Sequence, residues 1–268
     1  MKKKTSAGLA LVVILGAGAA YYYWQEERPA PVAPPVPVVA PPPPAPAAAA
    51  PAIRHPIQAA PASTAAAAPP LPTLAKSDAA MLGELAAWFG ERPLATLFYS
   101  DRIITRIVAT IDNLPRPMAP VGMMPVKPAP GAFITAAGSD GPVISPDNWA
   151  RYAPYVALAQ AVDAKKLVDF YVRFYPLFQQ AYEELGYPKG YFNDRLIETI
   201  DDLLAAPEIS DPIKLVQPKV LYQFADPKLE ALSAGQKIMI RMGAANAAKV
   251  KAKLAEIRAL VVARTGRR

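Results

Sequence analysis

The 268-residue sequence contains no cysteine and a single histidine, His55. Without cysteine there are no disulfides and no lipid-modified cysteine anchor, a composition that fits an oxidising compartment. His55 lies in a proline-rich stretch outside the folded part. The folded part therefore lacks a histidine-assisted nucleophile and any His- or Cys-ligated metal site. Glycine-rich phosphate loops are also missing, since the pair Gly16 and Gly18 sits inside an apolar run. These absences remove the commonest catalytic signatures, and no cofactor is expected.

What is present begins with "KKKTSAGLALVVILGAGAAYYYWQEER". Three lysines precede an apolar run of 18 residues, Ala7 to Trp24. At about 1.5 Å per residue that run spans roughly 27 Å, enough for a bilayer's hydrocarbon core. Lysine on one flank and Tyr21, Tyr22, Tyr23 and Trp24 on the other match a positive-inside flank and an interfacial aromatic belt. The spacing predicts one retained transmembrane helix over 7–24, with residues 1–6 cytoplasmic and everything after Trp24 on the far side. The rival is a signal peptide cleaved after Ala19, where Ala17-Gly18-Ala19 has the small-x-small pattern, but cleavage leaves the aromatic cluster without a purpose.

Residues 25–72 read as a linker. From Pro29 to Pro72 the chain is almost entirely proline, alanine and valine and carries 16 of its 32 prolines. Such a stretch has too little varied apolar surface to pack, and too few backbone N–H groups, so polyproline II and disordered coil are expected. The spacer leads to one domain over 73–268. The formal charge of +7 is uneven. Lys2 to Lys4 contribute +3, Ser233 to Arg268 hold nine Lys and Arg against Glu256, and the part between has 17 basic and 21 acidic residues.

The domain reads as mainly α, with a long Pro/Gly-rich loop and at most a small β-hairpin. Ser77 caps a short helix that stops at Gly90, and a second helix is predicted from about Leu94 to Asp112 on the spacing of Ile103, Ile104, Ile107, Val108 and Ile111. A proline- and glycine-rich excursion follows, Asn113 to Pro146, with a hairpin expected around Ser139-Asp140-Gly141. Ser145 and Pro146 open a helix that continues through Asp163 to Leu185, where Pro176 is expected to kink it. Further helices are predicted from Asn193 and from Ala234, the latter broken near Gly243, with an edge strand near Val220 to Tyr222.

Several segments in one order then carry a resemblance: "IVATIDNLPR", "RYAPYVALAQAVDAKKLVDFYVRFYPLFQQAYEELGYP", "FNDRLIETIDDLL", "LVQPKVLYQFADPKLEALSAGQK" and "RMGAANAAKVKAKL". Together, from about Leu74 to Val262, they resemble the bacterial family of domains of unknown function 3014. The resemblance implies a membrane-anchored envelope protein without an established activity, and it supplies no catalytic residues.

Four groups of residues deserve weighing as sites. Asp194, Glu198, Asp201 and Asp202 form an acidic stripe at i, i+4, i+7 and i+8, able in principle to serve acid–base chemistry or a hard cation. It lies opposite Leu196, Ile200 and Leu203, which makes a solvated outer face the better reading. Phe170, Phe174, Phe178 and Tyr182 recur every four residues and could stack on sugar rings, but the spacing is what a packed helix needs and core is the better reading; Trp149, Tyr152 and Tyr155 are less regular and could line a glycan groove or opening. Lys249, Lys251, Lys253 and Arg258 surround the apolar stripe of the last helix, and they could attract an anionic wall polymer or lipid headgroups. Ser233 and Lys237 have the spacing of a serine–lysine dyad, but a serine at a helix start is ordinarily a cap. The expectation is a non-enzymatic binding or scaffolding domain in the bacterial inner membrane, with its C-terminal domain periplasmic and an envelope protein among its possible partners. The alternative is a hydrolase or lyase acting on an envelope glycan through carboxylates. Nucleic acid is disfavoured, because the basic tail is predicted to lie outside the cytoplasm.

Overall fold

The computed structural model describes residues 52–57, 70–209 and 212–265. The predicted transmembrane helix and its interfacial residues Tyr21, Tyr22, Tyr23 and Trp24 lie outside the described residues, among which no helix is long and apolar enough to cross a membrane.

The architecture is mainly helical. In chain order the elements are α1 Asp78–Phe89, α2 Glu91–Leu97, α3 Ile103–Asn113, β1 Thr135–Gly138, β2 Gly141–Ile144, α4 Asn148–Ala161, α5 Ala164–Glu184 and α6 Phe192–Leu204. They continue with β3 Leu215–Val216, β4 Gln223–Phe224, α7 Pro227–Glu230, α8 Ala234–Arg241 and α9 Ala244–Ala263. The central element is α5. Its aromatic stripe is core: Phe174 is 2% exposed, and Phe170, Phe178 and Tyr182 are buried beside it. Against it pack Ile103, Ile104 and Val108 of α3, Phe192 and Ile197 of α6, Met81 of α1 and Val261 of α9. Each such aromatic or branched side chain stabilises the fold by roughly 1.5–3 kcal/mol through burial alone.

Three expectations need correction. The helix predicted from Leu94 to Asp112 is two helices, separated by an irregular stretch in which Arg102 is left-handed at φ 49°. The apolar periodicity runs through the gap, but the start of α3 is capped from elsewhere: Asp78 accepts from the amides of Arg102 (2.7 Å) and Ile103 (2.8 Å). The helix opened at Ser145 does not run into α5, because Asp163 is extended and caps α5 by accepting from the Lys166 amide at 2.9 Å. The strand expected at Val220 to Tyr222 is shifted to Gln223–Phe224, which pairs antiparallel with Leu215–Val216, leaving Val220 and Leu221 exposed.

The hairpin falls where Ser139-Asp140-Gly141 places it, with Thr135 opposite Ile144 and Gly138 opposite Gly141. The rest of the Pro/Gly-rich excursion is pinned by side chains, because an irregular backbone needs external donors for its carbonyls. Arg106 donates to Gly122 O (2.7 Å), Arg151 to Gly131 O (2.7 Å) and Pro130 O (2.8 Å), and Tyr155 to Lys127 O (3.0 Å).

Candidate functional site

The turn between α5 and α6 is built from its polar residues inward. Gln179 on α5 accepts from the Phe192 amide (2.9 Å) and donates to Gly190 O (2.8 Å), fixing both ends of the approach to α6. Glycine is needed at position 190, where a Cβ would stand 2.7 Å from the Tyr182 ring. The first residues of α6 are thereby held in place. Asn193 is fully buried, and its Oδ1 accepts from the Tyr171 hydroxyl at 3.0 Å. Burial raises the Tyr171 hydroxyl well above its usual range, so it remains a donor throughout the neutral and mildly alkaline range.

On this end of α6 lies a segment that the composition assigns to the linker, Ala52–Ile57. Asp194 accepts from the amides of Arg54 (3.0 Å) and His55 (2.7 Å), and Tyr191 accepts on its hydroxyl from the Ile57 amide (2.7 Å). Asn193 Nδ2 donates to His55 O at 2.8 Å. Ile57 is bridged antiparallel to Thr265 and packs against the main core. These contacts were missed from sequence because low complexity surrounds them. The available signal was the break in the Pro/Ala composition, where "AIRHPI" places two isoleucines, an arginine and the sole histidine together.

Beside the segment is a polar recess of about 300 Å³, walled by Arg54, Arg116 and Arg195 and by Asp112, Asp194 and Glu198. Its floor is Asp112, 4% exposed at the end of α3. One oxygen accepts from Arg116 (2.7 Å) and from the Tyr187 hydroxyl (3.1 Å), the other from Arg195 (3.2 Å). Arg195 continues to Glu198 at 2.9 Å. Burial opposes the charge on Arg116, but Asp112 and Tyr187 outweigh it and hold the guanidinium above its usual range. A buried carboxylate shared by two guanidinium groups and a phenol is a positioning device, joining α3 to α6.

The acidic stripe is distributed over four different contacts. Asp194 holds the segment and Glu198 pairs with Arg195. Asp201 takes a two-pronged contact from Arg258 of α9, and Asp202 accepts from Ser233 at 2.7 Å. Ser233 caps α8 by accepting from the Gln236 amide, while Lys237 turns to Glu230. The two do not meet as a dyad.

The other residues singled out from sequence are placed as follows. Lys249 is exposed. Lys251 donates to Ala206 O (2.7 Å), Lys253 to Val162 O (3.0 Å), and Arg258 pairs with Asp201. Trp149 lies over Gly243, whose φ of 83° and lack of a Cβ let the indole approach the start of α9. Tyr152 packs into a second cluster with Val156, Met239 and Met242, and Tyr155 anchors the excursion; desolvation raises the pKa of its hydroxyl. Among the described residues no group of three or more His, Asp or Glu is arranged to hold a metal ion.

The fold and this site define a mainly helical domain whose α6 end grips a short stretch of its own chain. By sequence the chain belongs to the family described as protein of unknown function (DUF3014), which it matches over residues 103–258. Neither a curated protein nor a solved structure shows significant similarity to it.

Proposed function

We propose that this protein is a non-enzymatic binding or scaffolding domain of the bacterial envelope, held in the inner membrane by one helix over 7–24 and presented on the periplasmic side through a proline-rich spacer. The topology rests on the lysine flank, the apolar run and the aromatic belt of the sequence. The binding reading is carried by one observation: Tyr191, just before α6, and Asn193 and Asp194 in its first turn together hold the main chain of Arg54, His55 and Ile57. The acids that a glycan hydrolase would use are instead each tied up, Asp194 by two amides, Glu198 by Arg195, Asp201 by Arg258 and Asp202 by the Ser233 hydroxyl, although Asp194 and Glu198 share the recess with Asp112. That distribution favours a scaffold over a catalyst.

The topology is tested by fusing a reporter active only outside the cytoplasm to the C-terminus and by intact-mass analysis of membrane-extracted protein. An active reporter and a mass that includes the first residues are expected. A mature protein beginning at Ala20, or an inactive reporter in expressed protein, would remove the anchored periplasmic reading.

A further inference from the structure

We propose that Tyr191, Asn193 and Asp194 form a binding site for a peptide main chain that bends at the places of Arg54 and His55, that Ala52–Ile57 is its resident ligand, and that an added peptide of the same sequence occupies the site when the resident segment is displaced. The proposal rests on the binding reading above and names its ligand class: a short peptide with a basic residue, a proline and an apolar residue at the places of Arg54, Pro56 and Ile57.

Every amide over the segment's centre is hydrogen-bonded. The amides of Arg54, His55 and Ile57 are all taken up by α6 or the residue before it, and the intervening Pro56 has no amide to satisfy. Pro56 also narrows the conformations open to His55, so the segment loses less freedom on docking than an unrestricted peptide would. The receiving groups do not depend on the segment for their own placement. Asn193 is fully buried and oriented by Tyr171 from α5, and the α6 entry is held by Gln179. A carboxylate in the first turn of a 13-residue helix is additionally favoured by the helix dipole.

The contacts to main-chain atoms do not select side chains, so selectivity comes from the flanks. Arg54 borders the recess, whose other charged walls are the carboxylates of Asp112, Asp194 and Glu198 against the two guanidinium groups of Arg116 and Arg195, an excess of negative charge that suits a cationic side chain. Ile57, half-buried, packs against the main core, which suits an apolar one. Twelve residues separate Ile57 from Pro70. A tether of that length gives an effective concentration in the millimolar range, so even a weak site stays occupied by its own segment, while an untethered peptide is held off.

The test uses full-length protein in detergent, so its outcome is independent of the side of the membrane on which the domain resides. A fluorescent, end-blocked AIRHPI peptide is titrated against wild type, Arg54→Pro/Ile57→Pro, and the same double variant carrying Asp194→Ala. The prolines delete two of the segment's three donors and leave the receiving site unaltered. The peptide should bind the proline variant at least tenfold more tightly than wild type, and Asp194→Ala should abolish that gain. Where the prolines disturb folding, as judged by circular dichroism, a full-length variant with residues 52–57 replaced by a Gly-Ser repeat takes their place, with the same result required. Equal binding to wild type and the emptied variant, or binding indifferent to Asp194→Ala, would overturn the proposal.

Discussion

The hydroxyl of Tyr171 donates to Oδ1 of Asn193 at 3.0 Å, and both residues are buried. Because the amide's oxygen is engaged by α5, its nitrogen faces outward and meets His55 O at 2.8 Å. One core tyrosine therefore orients the side chain that receives the docked segment.

Replacing Tyr171 with phenylalanine keeps the ring and removes the donor. Leaving a buried acceptor unpaired should cost about 1–3 kcal/mol of stability. Urea unfolding gives that loss, and faster amide exchange at Arg54 and His55 in the variant shows that it reaches the segment. A stable variant with unchanged exchange would show that Tyr171 does not orient Asn193.

Asp78 stands to α3 as Asp194 stands to the segment, accepting two consecutive amides, those of Arg102 and Ile103. Asp78→Ala should cost about 0.5–2 kcal/mol, the usual range for a lost helix cap. Thermal denaturation checks it, and an unchanged midpoint would mean that α3 needs no cap from α1.

The basic residues of α9 separate into two classes. Lys249→Glu should shift stability by no more than about 0.5 kcal/mol, as exposed charge changes do. Lys251→Glu should cost about 1–3 kcal/mol, because it removes the donor to Ala206 O, a buried residue just past α6. Matched chemical denaturation of the two variants distinguishes them; equal values would return Lys251 to a solvated face.

Acid stability carries a mark of the α5 cap. The Lys166 amide holds the Asp163 carboxyl below its ordinary value of 3.8, outweighing the opposing effect of burial. A depressed carboxyl contributes stability that is present above the unfolded value and is lost as pH falls through the lower folded value. Asp163→Asn keeps a capping oxygen and cannot titrate. Its stability should fall less steeply than that of wild type below about pH 4 and run parallel to it at neutral pH. Parallel curves below pH 4 would contradict the cap's contribution.

Gly243 has φ 83°, and a Cβ there would lie 2.6 Å from the Trp149 ring. Gly243→Ala combines left-handed strain with a displaced indole, so a loss of about 1–3 kcal/mol and a shift in tryptophan emission are expected. Loss of stability without any change in emission would assign the effect to the backbone alone.

Local periodicity made much of the fold legible. The four-residue spacing of Phe170, Phe174, Phe178 and Tyr182 marked α5 as the core helix, and Ser139-Asp140-Gly141 marked the hairpin. The breaks were less legible, because their causes are remote in sequence. Nothing near Arg102 announces that Asp78 will take its amide, and the apolar spacing on either side argues for continuity. The same remoteness hid the site. The acidic stripe of α6 was visible as a pattern, but Asp194 receives amides 140 and 139 residues earlier, from a stretch whose proline and alanine content argues against packing. A short unlike segment inside low complexity carries little periodicity, and only its isoleucines and its histidine distinguish it.

Amide hydrogen exchange over residues 52–57 of the full-length protein is the most direct test of the α6 site. Wild type should protect Arg54, His55 and Ile57 by at least tenfold over the rates of an unstructured peptide, and Asp194→Ala should release Arg54 and His55 to those rates while the α5 amides stay protected. Exchange of Arg54, His55 and Ile57 at unstructured rates in wild type would contradict a domain that binds this segment of its own chain.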